Sequence, residues 1–426
     1  MSDSLHPQVP ALDEAVGRAM QAVAQVPAVQ KGLQIAKDQA ERAMAEQVEL
    51  CEIPSPTFHE EKRAQEIARR MKEYGLTDVS IDAIGNVVGV RKGTGNGPVL
   101  VIDAHMDTVF PEGTDVTVRR EGDTYYAPGI GDNTSGVRAL LQLIRCFNEA
   151  GVQTEGDILF VGTVGEEGNG DIRGAKHMCS GERHIDGYIA IDSFGAGVVV
   201  NGGVGCHRWR VRIEGPGGHS FVNFGQVPSA IHAMCHAGHL IDHLTPPAEP
   251  YTTFNIGTIK GGTSVNTISP WCEVDIDIRS ISNDELLKLE AQIFEALDAG
   301  VAEENERWGI TDEEKKVKLT KTQIGDRPAG ARPGECPVIQ CAMNAQKLLG
   351  VALTEYGPSA TDANAPISKN LPAACLGSGG ISEKYHTLDE YFIDRESYLG
   401  PQVIFLTACT LVGVDGHKPL LPTYQG

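Results

Sequence analysis

The sequence has no CxxC pair among its ten cysteines, and the closest two are Cys336 and Cys341. In a chain of 426 residues this spacing reads as reduced, mostly buried thiols of a cytosolic protein, not as a disulfide framework. No segment approaches the ~18 consecutive apolar residues of a membrane span. The N-terminal stretch has no basic patch followed by an apolar run, so no secretory signal is expected. Basic residues are in deficit: 36 Lys and Arg stand against 57 Asp and Glu, for a formal net charge of −21. Such a surface repels phosphate backbones and excludes nucleic acid as the expected partner. These absences fit a cytoplasmic enzyme.

What is present is enough apolar material for folding, 41% of residues, in a chain whose length favours two domains. Residues 11–50 carry apolar side chains at three- and four-residue spacing and read as helix. A second amphipathic helix is expected from about Glu60 to Tyr74. Short apolar runs then end repeatedly in polar, chemically loaded residues. PVLVIDAH ends at His105 with Asp107 close behind, ILFVGTV ends at Glu166 and Glu167, and YIAID ends at Asp192. Continuous apolar runs suit strands buried on both faces of a parallel sheet, and such sheets bind ligands at the carboxyl ends of their strands. The expected fold is α/β, a mostly parallel central sheet flanked by helices.

From about Gly205 to Gly325 the texture changes to alternating strands, RWRVRIEG, TTFNIGTIKGG and WCEVDIDIRS, with helices at about 226–243 and 283–305. This predicts an inserted α+β domain with an antiparallel sheet. The expected organisation is an N-terminal helical extension (1–44), a catalytic domain in two parts (45–204 and 326–426) and the insert (205–325). The second catalytic part is read as a helix near 335–349, a strand at 372–377, a loop carrying His386 and a last helix near 394–413.

The candidate ligands are His105, Asp132, Glu167, Asp192 and His386. Imidazole with carboxylate suits zinc, cobalt or manganese better than magnesium or calcium. Five such groups exceed the three protein ligands of a typical single catalytic zinc and fit two ions sharing one carboxylate. Asp132, in the Gly-rich GIGDNTSGV before a predicted helix, is the natural bridge. Of Glu166 and Glu167, one can bind metal while the other accepts a proton from the attacking water and returns it to the leaving amine.

The ordered motifs HMD (105–107), GIGDNTSG (129–136), GEEG (165–168), AID (190–192), GGHS (217–220), GGTSVN (261–266), DIR (277–279) and EKYHTLDE (383–390) resemble a dinuclear metallopeptidase and deacylase family. That family contains peptidase T, carboxypeptidase G, succinyl-diaminopimelate desuccinylase, acetylornithine deacetylase and aminoacylase. The resemblance covers roughly residues 45–415 and implies roles residue by residue. Asp132 would bridge two divalent ions, zinc first, with cobalt or manganese as alternatives. His105 and Asp192 would complete one site, Glu167 and His386 the other. Glu166 would be the general base, then the general acid. Asp107 would orient His105. The insert corresponds to the family's lid and dimerisation domain. There His219 and Asn266 would polarise the scissile carbonyl and Arg279 would bind a substrate carboxylate. The chain departs from the family in its first ~35 residues and at Ser269, which precedes Pro270 where an Ile is usual.

The implied activity is an exopeptidase acting on a small peptide, most like peptidase T. An N-acyl amino acid deacylase or carboxypeptidase on the same metal centre is the alternative, and a non-catalytic binding protein a third. A homodimer through the lid is expected. His232, His236, His239 and His243 fall at helical spacing on one predicted helix. The stretch HAMCH lacks the Glu of a HExxH metal site, so this helix is read as solvated or interface-facing.

Overall fold

The short apolar runs become parallel strands in the computed structural model, which describes residues 5–95 and 97–423. Val99–His105, Asp157–Thr163, Gly187–Ile191 and Ala373–Leu376 all run the same way in the middle of a nine-stranded sheet. Along Val99–His105, Leu100 and Ile102 face one hydrophobic core and Val101 faces another. That two-sided burial is why these strands read as unbroken apolar runs. Antiparallel strands finish the sheet: Asp78–Ile81 and Val87–Arg91 at one side, Val198–Gly203 with Gly330–Ala331 at the other.

The helices Thr134–Ala150, Pro337–Leu349 and Leu399–Val412 cover one sheet face and share its core. The periodic stretch expected as one helix over 11–50 is three: Glu14–Ala24, Pro27–Asp38 and Ala40–Cys51. Pro27 occupies the first turn of the second, where its missing N–H is not needed. Gln39 (φ −99°, ψ 17°) leaves helical geometry between the second and third. Met20, Val23, Val29, Ala36 and Leu50 are buried in the same core as the sheet. Gly32 lies so close to Phe405 that a Cβ there would collide with the ring.

Val204–Ala329 forms a second compact unit, and His6–Gly203 with the chain from Gly330 onward forms the first. The inserted unit is a four-stranded antiparallel sheet in the order Thr252–Gly261, Trp271–Ser280, Gly205–Glu214, Lys318–Arg327. Helices Ala230–Asp242 and Asn283–Arg307 pack on it through one core. The strand Lys318–Arg327 was not expected; KLTKTQIGDR is an edge strand, half of its residues exposed, and carries little apolar alternation. The chain leaves for the insert and returns on paired strands, with Gly203 opposite Gly330 and Gly202 opposite Ala331. Among the described residues no helix is long and apolar enough to cross a membrane.

Candidate metal centre

Three of the central strands deliver their ends to one edge of the sheet. His105 closes Val99–His105, Glu166 and Glu167 follow Asp157–Thr163, and Asp192 follows Gly187–Ile191. Asp132 precedes the helix Thr134–Ala150, whose first turn is capped by Asn133 accepting from the Gly136 amide at 3.1 Å. The loop before that helix needs glycine at 131, because a Cβ there would collide with Ser382 Oγ. His386 lies between Ile381–Glu383 and Tyr391–Ile393, in a small sheet with Arg119–Glu121 and Thr124–Tyr126. Its backbone is left-handed, φ 63°, a conformation uncommon outside glycine.

The structure brings all five expected ligands together, with Glu166. His105, Asp132 and Asp192 form one group and Asp132, Glu167 and His386 another, with donor atoms within 4.8 Å of one another in each. His105 Nε2 lies 3.3 Å from both Asp132 Oδ1 and Asp192 Oδ1. On the other side, His386 Nε2 lies 3.1 Å from Asp132 Oδ2 and 3.0 Å from Glu167 Oε1. The two oxygens of Asp132 therefore face two different His–carboxylate pairs. Ligands bound to one tetrahedral ion at ~2.0 Å stand about 3.3 Å apart, so these spacings fit an ion in each group. Buried Asp132 Oδ1 has no hydrogen-bond partner, as suits an atom reserved for a cation.

The electrostatics favour cations. Asp132 and Glu167 raise the pKa of His386 to about 10. Burial opposes a charge on His105, but Asp192, Asp107 and Asp132 outweigh it and raise its pKa. Burial likewise works against the Asp132 charge, yet His105 and His386 hold its carboxyl well below the usual range. A field that retains protons so firmly would retain divalent ions in their place.

Asp107 touches more than His105. His105 Nδ1 sits 3.1 Å from the Asp107 main-chain oxygen and 3.5 Å from carboxylate Oδ1. The same buried carboxylate accepts the amides of Glu166 (3.0 Å) and Glu167 (3.1 Å) and the Thr57 hydroxyl (2.9 Å). It fixes the Glu pair as well as the imidazole. Glu166, only 5% exposed, stands with His105 and Glu167 in a third donor group.

Sequence reasoning gave no role to Glu390, although it lies inside the EKYHTLDE motif. Its buried carboxylate accepts the amides of Gly129, Gly131 and Asp132. Burial pushes its pKa to about 7 against those bonds. An acid so close to His386 was the available signal.

In the inserted unit, His219 and Asn266 are brought together. His219 pairs with Thr267 across a short antiparallel ladder, and Ser220 N donates to the Asn266 main-chain oxygen at 3.0 Å. His219 Nδ1 accepts from the amides of Phe221 (3.2 Å) and Val222 (3.4 Å). That assignment leaves Nε2 as the protonated nitrogen, a donor. Arg279 Nε donates to Asp277 Oδ2 at 2.8 Å, within its own strand.

The model of peptidase family M20/M25/M40 matches residues 101–409. Carboxypeptidase G2 of Pseudomonas sp. (strain RS-16) is 26% identical over 78% of this chain and 81% of its own. A solved tripeptidase of Staphylococcus aureus is similar in fold, with TM-score 0.71 at 24% identity over 86% of this chain and 97% of that one. So is a dinuclear metal-binding peptidase of Bacillus subtilis, with TM-score 0.65 at 16% identity over 88% of this chain and 99% of its own. With the match spanning both sheet-edge ligand clusters and the insert, the chain belongs to peptidase family M20/M25/M40, metal-dependent hydrolases of peptide and related amide bonds.

Proposed function

We propose that this protein is an exopeptidase that cleaves a peptide bond of a small peptide at a two-metal centre. The observation that carries this is Asp132: its oxygens face His105 with Asp192 on one side and His386 with Glu167 on the other. Two divalent ions, zinc first, would be held by these five residues. When bound they supply an acidified water and polarise the scissile carbonyl. Glu166 takes the proton of the attacking water and passes it to the leaving amine. Asp107 holds Glu166 and Glu167 in register through their amides. His219, with Nε2–H directed away from its own loop, donates to the developing oxyanion beside Asn266. Arg279 receives a substrate carboxylate.

The likeness to a tripeptidase and to carboxypeptidase G2 supports peptides first and N-acyl amino acids second. Homodimerisation through the insert belongs to the same proposal. Phe221, Val222 and Phe224 are 88%, 63% and 70% exposed beside His219, and Val265 is fully exposed beside Asn266. Apolar side chains clustered in the open mark an interaction surface.

The test is metal dependence with a substrate panel. Chelation abolishes hydrolysis and added zinc, cobalt or manganese restores it. A tripeptide is cleaved faster than an N-acetyl amino acid or an N-blocked dipeptide. Full turnover by protein verified metal-free by elemental analysis overturns the metal centre; preference for the N-acetyl amino acid replaces the exopeptidase with a deacylase.

A further inference from the structure

Two aromatic side chains beside the metal centre have no role above. Phe194 follows Asp192 by two residues, and Tyr385 immediately precedes His386. These segments are far apart in the chain, yet the Phe194 and Tyr385 rings stand 5.6 Å apart between centroids, inclined at 39°. The Tyr385 ring in turn meets the His386 imidazole at 90°, with centroids 5.8 Å apart. Separations of ~4.5–7 Å are those of favourable aromatic pairs. The row Phe194, Tyr385, His386 therefore runs from beside one ligand group to a member of the other.

Core packing does not account for the two rings. Among the described residues neither belongs to a hydrophobic core or packs against one. Tyr385 is 53% exposed, and Phe194 is partly exposed. Their backbones are nevertheless fixed. Ser378 N donates to the Ser193 main-chain oxygen at 2.8 Å, and Gly377 comes so close to Gly195 that a Cβ on it would collide with the Gly195 oxygen. Thr387 donates through its amide (3.2 Å) and its hydroxyl (2.7 Å) to the Lys384 main-chain oxygen, closing a turn around Tyr385 and His386. Open apolar surface on a fixed frame suits ligand binding, because the wall need not be ordered first.

We propose that Phe194 and Tyr385 form a specificity wall that receives an aromatic or large aliphatic side chain from the substrate residue next to the scissile bond. This rests on the exopeptidase reading above, which puts that bond at the ligand groups. A side chain leaves the main chain at the Cα next to the bond to be cut, and these rings are carried one and two residues from candidate ligands. A phenyl ring entering here joins the aromatic row and covers apolar surface now open to water. Aromatic faces also take cations, but the divalent ions of that reading disfavour a cation beside His386. That leaves the apolar side chain.

The experiment measures kcat/KM on two panels, tripeptides and N-acetyl amino acids, each offered with Phe, Leu, Lys or Ala next to the bond to be cut. Wild type is compared with Tyr385→Ala, Phe194→Ala and Tyr385→Phe, and elemental analysis gives the metal content of each. Wild type prefers Phe to Ala by roughly tenfold or more, the discrimination a hydrophobic pocket supplies. Tyr385→Ala and Phe194→Ala lose most of that ratio. Tyr385→Phe keeps it, because the ring and not the hydroxyl makes the wall. Which panel is cleaved decides the exopeptidase reading, and the Phe-to-Ala ratio within the cleaved panel decides the wall, so the two fail separately. If neither panel is turned over, that reading falls and calorimetric binding of the Phe and Ala compounds decides the wall by the same ratio. A wild-type ratio near one overturns the proposal, and so does a preference for Lys. An equal fall on Phe and Ala substrates in both Ala variants, with metal lost, overturns it as well and makes the rings a structural support of the ligands. The wild-type ratio is decisive even where a variant fails to fold.

Discussion

Glu390 holds the main chain of Asp132: its Oε1 accepts the Asp132 amide at 2.9 Å while the same carboxylate takes the amides of Gly131 at 2.9 Å and Gly129 at 2.7 Å. Glu390 shares a short connection with His386, so one side chain ties the two loops that bring His386 Nε2 within 3.1 Å of Asp132 Oδ2. Outer groups of this kind change metal affinity by ~10–100-fold. Glu390→Ala is expected to lower metal affinity within that range, and Glu390→Gln, which offers one acceptor oxygen, by less. Competition against a chromophoric chelator measures both. Wild-type affinity in Glu390→Ala would remove the positioning role.

Glu166 and Glu167 are neighbours in the chain with separable expected effects. Glu166→Gln loses most of kcat and keeps its metal, because a proton carrier need not be a ligand. Glu167→Gln loses metal, because its Oε1 stands 3.0 Å from His386 Nε2. Metal analysis beside kcat on each variant checks the assignment; the opposite pattern exchanges the two roles.

His219 keeps a donor pointing outward, since its Nδ1 is occupied by two amides. Removing an oxyanion donor costs ~10²–10³ in kcat, and His219→Ala is expected to fall in that range. If the donor serves a neighbouring subunit, co-expressed His219→Ala and Glu166→Ala chains regain partial activity in mixed dimers. Isolated mixed dimers as inactive as either parent would confine His219 to its own chain.

Arg279 donates through Nε to Asp277 Oδ2 at 2.8 Å, and in the proposed function its guanidinium also receives a substrate carboxylate. A lost charge-assisted bond is worth ~1.5–3 kcal/mol, so Arg279→Ala should lower kcat/KM for a free-acid peptide by roughly tenfold or more. The matching C-terminal amide should be affected far less. Equal losses on both substrates would assign Arg279 to its ion pair alone.

The N-terminal helices are tested at Gly32. A methyl group there meets the Phe405 ring, and overpacking of this kind costs ~1–3 kcal/mol. Gly32→Ala should lower the urea midpoint of unfolding with hydrolysis per folded molecule unchanged. An unaltered midpoint would mean that the helix Pro27–Asp38 is not held where Phe405 places it.

Much of this was legible in the sequence for one reason: strands buried on both faces leave unbroken apolar runs, and their ends are marked by the residues that do chemistry. Val99–His105, Asp157–Thr163 and Gly187–Ile191 were each visible that way. Lys318–Arg327 was not, because its only large apolar side chains, Leu319 and Ile324, are five residues apart among Lys, Thr and Gln and show no alternation. The strands around His386 were missed for their length; three residues cannot show a period. Glu390 was hidden differently. It acts on amide groups, which every residue carries, so nothing in the partner sequence announces it. The same holds for Phe194, whose ring meets Tyr385 only once two segments distant in sequence are packed.

The pairing of Gly203 with Gly330 has a consequence for how such a protein is assembled. Residues opposite one another in an antiparallel ladder stand only ~4.5–5.5 Å apart, so the inserted unit is spliced in at a point where the host chain is already closed. A tight turn could bridge that gap, and a different module could be fitted there with little loss of loop entropy. The host would keep its sheet, and with it the five candidate ligands, through the exchange. Chain architecture of this kind lets the sheet that carries the candidate ligands and the insert that carries His219, Asn266 and Arg279 be exchanged as separate pieces of chain.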